Sequence, residues 1–320
     1  MHKRMIALLL AIFLLFAFTG CGDKSQEEPY EEVPAVHIVD DPGLRNTILY
    51  LEDDNGYIVP VMKQIPWVEG IGAAAVSQLI ANPDTDTEME YLGLNPILSE
   101  GTELSLSIKE GVATLKLSEN AIAADNAVDE LKKVMAVVNT LAEFQSIDSV
   151  LIKQEGCGEE LPQGTVISQP FLPFDLNVIT TLSQEDQENA SRLMLYFPSE
   201  SGNVIVPVTT YVGGQADPYA AMSELIKGPS EAGLKSLFPK GTALLNVDVD
   251  EDGIASVDFS KEFKAISEDA QQERALIRCI MLTLMQFDNM EEVRILVEGE
   301  EYTGAAQAAM AYPDYVNVME

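Results

Sequence analysis

The sequence predicts an α+β protein built from two tandem copies of one small mixed-sheet domain, with helices on one face of each sheet. Three observations carry this. First, four stretches recur in the same order at an offset of 140 to 147 residues. "LYLEDDNGYIVPV" from Leu49 returns as "LYFPSESGNVIVPV" from Leu195, and "SQLIANP" from Ser77 as "SELIKGP" from Ser223. "GTELSLSIKEGVATLKLS" from Gly101 returns as "GTALLNVDVDEDGIASVDFS" from Gly241, and "FQSIDSVLIKQEG" from Phe144 as "FDNMEEVRILVEG" from Phe287. Ordered self-similarity of this kind means a repeated structural unit, here of about 110 residues, an ordinary domain size. Second, inside each copy the apolar period switches between two and three-to-four, the marks of strand and helix. Third, 47% of the 320 residues are hydrophobic, enough for a sizeable core in each copy.

The elements follow in order. Each copy opens with a strand ending in Leu-Tyr, turns at Gly56 or Gly202, and runs a second strand to Val-Pro-Val. Pro60 and Pro207 there predict a strand end or an edge, because proline offers no ladder N–H. A short helix follows, "GAAAVSQLIAN" or "PYAAMSELIKG", stopped by Asn82-Pro83 or Gly228-Pro229. After a loop comes a hairpin. In copy one Leu104, Leu106 and Ile108 alternate with polar residues, the chain turns at Glu110-Gly111, and Ala113, Leu115 and Leu117 alternate again. A longer helix presents Val128, Leu131, Met135 and Val138 as its apolar stripe, matched by Leu276, Ile280, Thr283 and Phe287. A last strand, "SVLIK" or "VRILV", closes each copy.

"DVDEDG" at Asp248–Gly253 starts like an EF-hand loop, yet it aligns with "SIKEG" of copy one, where no acids alternate. A calcium loop needs a bidentate Glu at its twelfth position and flanking helices. Phe259 stands there and the flanks are strands, so a hairpin is expected, with Val247, Val249, Ala255, Val257 and Phe259 on its buried face. No metal site and no cofactor are expected.

The amino terminus reads as a leader. "HKR" is a basic n-region, Met5–Phe18 an apolar h-region too short for a comfortable span, and "FTGC" ends at Cys21. This pattern resembles a bacterial lipobox, with Phe18 where Leu is usual, and it makes Cys21 the expected lipid-attachment residue. The expected organisation is a signal peptide over 1–20, an acidic linker over 21–45, a first repeat domain over 46–179, a hinge over 180–190, a second repeat domain over 191–301 and a tail over 302–320. "GTVISQPFLPF", from Gly164, is too apolar for a free linker and is expected to pack back on copy one.

The acids number 52 against 19 basic residues. So acidic a surface repels phosphate backbones, which argues against nucleic acid as a partner. Catalytic residues are not expected either. The histidines are His2, in the leader, and His37, in the acidic linker, so nucleophile–histidine mechanisms have little to work with. Cys279 sits in an apolar helical run and Cys157 in a loop, and the sequence leaves open whether they pair. Gly213-Gly214 precedes a helix but lacks the lysine and spacing of a phosphate loop. Trp67 is the single tryptophan and either anchors a partner or half-packs on the core.

The repeated "LYF…VPV", "SELIKGP", "LFPKGT" and "GIASVDFSKEF", twice in order behind a lipobox, resemble the GerMN-domain family of sporulation and spore-germination lipoproteins. Copy one diverges more, with "ANPDTD" and "NPILSEGT" in place of "KGPSEA" and "KSLFPKGT". The resemblance implies a fold like the ring-building domains of secretion systems. It also implies a non-enzymatic binding and assembly role on the extracytoplasmic face of the membrane. The implied partners are other envelope proteins, the ring components of the mother cell–forespore channel among them, with the membrane reached through the lipid anchor. A ligand-binding or cell-wall-binding envelope lipoprotein unrelated to sporulation is the alternative. Which partner residues touch stays unknown at this stage.

Overall fold

The computed structural model describes residues 43–83, 86–180, 182–183, 186, 189–304 and 313–319. The leader, Cys21, both histidines, nearly all of the acidic linker and much of the expected hinge lie outside the described residues. Copy one runs β1 (Leu44–Asp53), β2 (Ile58–Pro66), α1 (Ile71–Ser77), α2 (Asp86–Leu92), β3 (Leu94–Asn95), β4 (Leu104–Lys109), β5 (Val112–Leu117), α3 (Ala127–Ala142) and β6 (Ser149–Gln154). Copy two runs β7 (Ser191–Pro198), β8 (Ile205–Val212), α4 (Pro218–Lys227), β9 (Leu244–Val249), β10 (Ile254–Phe259), a 3-10 helix (Lys261–Glu268), α5 (Ala270–Leu284), β11 (Glu292–Val297) and β12 (Glu300–Glu301). β13 (Val318–Met319) ends the description.

The mixed α+β class is as expected, but each copy divides its strands between two sheets instead of one. β1 and β2 form a long antiparallel hairpin, as do β7 and β8. The later strands form separate mixed sheets, in which β5 pairs antiparallel with β4 and parallel with β6, and β10 does the same with β9 and β11. Helix α3 packs against both β1 and β6, which explains the split: the helix layer lies between the hairpin and the sheet. Both second strands continue past Val-Pro-Val, to Pro66 and Val212. Helix α1 stops at Ser77, five residues short of the expected Asn82, and α2, β3 and the 3-10 helix were not foreseen.

The stripe on α3 is shifted from the expected one. Val128 and Leu131 are 65% and 40% exposed, while Glu130, Val134, Val137, Val138 and Leu141 face inward. A buried carboxylate explains the misreading. Glu130 is fully buried and accepts from the backbone N–H groups of Gln163 and Thr165, at 2.7 and 2.8 Å. The helix thus spends an acid on its inner face to hold the loop that returns over it. In α5 the equivalent Glu273 is also buried, and Tyr302 donates its hydroxyl to it. Of the expected α5 stripe, Leu276, Ile280 and Thr283 are buried, while Phe287 lies past the end of the helix and is half-buried. Asn126 and Asp269 cap the two helices, each accepting from two backbone N–H groups of the first turn.

The hairpin that resembled a calcium loop is a hairpin. Oδ1 of Asp250 accepts from the N–H groups of Asp252 and Ile254, and Gly253 takes a positive φ of 79°. In copy one the turn has two residues, Glu110 and Gly111, both at positive φ. The two extra residues of copy two go to a longer loop and to Leu245, which is bulged out where the register shifts between Asp258 and Phe259. Val249 is 42% exposed, not buried as expected, because it is the last residue of the edge strand β9, beside the loop.

The segment after β6 packs back on copy one, as expected. Phe171 exchanges both backbone hydrogen bonds with Val150, and Leu161 and Ile167 are buried. It continues to a junction that binds the copies together. The prolines Pro60 and Pro207 lie on the outer edges of β2 and β8, where neither can donate to a neighbouring strand. Two asparagines fill the gap. Asn177 donates to the carbonyls of Ile58 and Pro207 (2.8 and 2.7 Å) and accepts from the Ile58 N–H (2.9 Å). Asn317 donates to the carbonyls of Ile205 and Pro60 (2.8 and 3.0 Å) and accepts from the Ile205 N–H (2.7 Å). Since Ile58 and Ile205 are equivalent in the repeat, as are Pro60 and Pro207, the junction has approximate two-fold symmetry. Pairing Ile58 with Pro207 and Pro60 with Ile205 also makes the two edges antiparallel.

The long helices hold both asparagine-bearing segments. Asn139 of α3 exchanges hydrogen bonds with the backbone of Phe174, and Arg278 of α5 donates to the carbonyls of Tyr315 and Val316. β13 then pairs parallel with β2, so the tail of copy two closes on copy one. Turns lock as well: Tyr57 donates to the Ala232 carbonyl at 2.7 Å, and Asn203 to that of Tyr91 at 3.0 Å. One continuous cluster of buried side chains runs from Val61 and Leu115 into Val206 and Phe259.

Candidate interaction surfaces

Several residues that could carry chemistry are spent on structure. Cys157 and Cys279 are both free thiols. Cys279 is buried in α5, where desolvation pushes its thiol up to about 12. Asp53 is 3% exposed, and its Oδ1 accepts from the N–H groups of Asn55 and Tyr57, shaping the β1–β2 turn. Burial raises its carboxyl above the usual range, against those hydrogen bonds, and Oδ2 has no hydrogen-bond partner. Among the described residues no group of three or more His, Cys, Asp or Glu is placed to hold a metal ion. Gly213 and Gly214 lie in open turns ahead of α4, whose start is capped by Asp217, an acid where a phosphate would sit. The cleft between Tyr196, Leu225, Phe238 and Cys279 has a cavity volume of about 10 Å³, room for about one water and not for a drug-sized ligand.

The surface has two other kinds of feature. Trp67 is 60% exposed, with Leu44 and Val68 also exposed beside the same hairpin end. The Arg45 guanidinium lies 5.0 Å from the Trp67 ring centroid and 5.4 Å from that of Phe144, so the indole stands on a cation that is itself stacked on the core. The second feature is a pair of open strand edges. β4 and β9 end their sheets, and among the described residues no strand pairs with the outer edge of either. Ile108 on β4, and Leu245 and Val249 on β9, are exposed there. An unpaired edge with apolar side chains is a template for another chain. Sequence periodicity located the strands, but their place at the sheet margins depends on β5 and β10 taking parallel partners, β6 and β11, which no local signal shows.

Among the described residues no helix is long and apolar enough to cross a membrane. The family model described as "Germane: Sporulation and spore germination" matches twice, over residues 48–160 and 194–303. The chain is 28% identical over 261 residues to the spore germination protein GerM of Bacillus subtilis, across 79% of this chain and 71% of that protein. The fold is similar to the solved tandem GerMN domains of the sporulation protein GerM from Bacillus subtilis, with a TM-score of 0.64 and 27% identity. That match covers 87% of this chain and all of the other.

Proposed function

The chain belongs to the Germane family of sporulation and spore germination proteins, and from that premise we propose that it is a non-catalytic, membrane-anchored assembly module. The homology supports a sporulation-related role. The finer reading is an extracytoplasmic lipoprotein, anchored through Cys21, that docks on other envelope proteins, with ring components of the channel between mother cell and forespore as the expected partners. The observation that carries it is the pair of open, partly apolar edges, β4 and β9, presented by one locked tandem body. Two linked docking edges raise avidity without any new contact, and a stiff body fixes their spacing. The buried carboxylates Glu130 and Glu273 and the capping acids Asp217 and Asp269 are engaged in loop anchors and helix caps.

The test is a count of heat-resistant spores after clean deletion of the gene in its native host, with complementation by the wild type and by Cys21→Ala. A large loss, restored by the wild type and not by the Cys21→Ala form, is the expected result. Normal spore yield in the deletion strain would overturn the sporulation assembly reading and favour an envelope partner used in growing cells. Full rescue by the unlipidated form would overturn the anchor.

A further inference from the structure

The two open sheet faces, equivalent in the repeat, carry opposite charge. Alternation along the strands puts Ala113, Leu115, Val150 and Ile152 toward the helices and Lys116 and Lys153 away from them. The ionisable residues of β4, β5 and β6 are Lys109, Lys116 and Lys153, with no acid among them. In a chain where acids outnumber bases 52 to 19, that is a marked departure. The parallel register sets Lys116 directly beside Lys153. Like charges side by side on neighbouring strands cost stability, and among the described residues no ion pair engages either. Acids return only outside the strands, with Glu103 and Glu155 at one end of the sheet and Glu110 and Asp148 at the other.

The outer face of copy two is the counterpart. Asp258 occupies the place of Lys116 and Glu292 that of Ser149, with Asp248 on the edge strand and Glu301 on β12. Its one cation, Arg294, is paired with Glu292 at 2.6 Å.

We propose that the lysine face of copy one binds the acidic face of copy two of a second molecule of this chain. The contact is heterologous: a pair of molecules keeps one face of each sign free, one on each molecule, so the association lengthens into a row or closes into a ring. The chain's net charge of −33 repels like molecules at a distance. Pairing the lysine face with acids therefore sets the register of approach and rejects the other orientations. This deepens the assembly reading by naming one partner, a second copy.

The full lipidated chain, in two differently tagged forms in neutral phosphatidylcholine vesicles, would be joined by a zero-length carbodiimide cross-linker and analysed by peptide mapping. The expected product is an intermolecular link from Lys116 or Lys153 to Asp248, Asp258 or Glu292. Lys116→Glu/Lys153→Glu should lower dimer recovery by about tenfold, as like-charge juxtaposition does at interfaces, and Asp248→Lys/Glu292→Lys should do the same. These side chains are exposed, so both variants keep the fold. Mixing the two variants should restore dimers, because each then offers what the other lacks. Undiminished dimers in either variant, no recovery on mixing, or links through other faces would overturn the proposal. Spore counts do not enter, so failure here leaves the sporulation reading standing, and failure there leaves this one.

Discussion

At the scale of single residues, the tandem arrangement rests on two asparagines. An asparagine amide offers two donors and an acceptor, and both Asn177 and Asn317 use all three on backbone groups of opposite copies. Neither a hydrophobic residue nor a serine could satisfy two carbonyls and one N–H at once. Asn317 is 8% exposed, so water cannot take its place cheaply. Asn317→Ala should destabilise the protein by about 2–4 kcal/mol, the cost of stranding buried backbone groups. Asn317→Asp should be at least as damaging, since an ionised carboxylate would face the carbonyls of Pro60 and Ile205 with no proton to donate. Urea unfolding of each variant measures this. A loss below about 0.5 kcal/mol, the range of ordinary surface changes, would show that the junction is held by packing alone.

At the scale of elements, the repeat made most of the fold readable, and what it missed has physical causes. Strands and helices recur because each copy must bury the same face, so the pattern appears twice and noise does not. The stripe on α3 was misplaced because Glu130 sits on its inner side, and no periodicity rule places a charge there; only its hydrogen bonds to Gln163 and Thr165 make that position tenable. The contrast can be measured. Leu141→Ala should cost about 2–5 kcal/mol, as for a fully buried leucine, while Leu131→Ala should stay within about 0.5 kcal/mol, as at the surface. Similar losses at both positions would return the stripe to the expected face. The junction did leave a trace in the sequence: Leu176-Asn177-Val178 and Val316-Asn317-Val318 lie 140 residues apart, an offset also found for Gly101 and Gly241. Three residues are too short a match to rise above chance, and their role depends on two proline edges brought together from distant parts of the chain.

At the scale of the whole molecule, the question is whether two copies make two folding units or one. Tandem domains joined by a flexible hinge unfold separately, each with its own transition. Here the tail of copy two adds β13 to the sheet of copy one, and Asn177 and Asn317 each bond to both copies. The buried side chains form a cluster that does not stop at the repeat boundary. Removing either copy would strip β2 or β8 of its edge partners. Calorimetry of the full chain should therefore give one transition, with the van't Hoff enthalpy equal to the calorimetric enthalpy. Asn317→Ala should shift that single transition without splitting it, because the core still couples the halves. Two resolved transitions in the wild type would mean that the copies are joined only as beads. The rigid spacing of β4 and β9, on which the assembly reading depends, would then be lost.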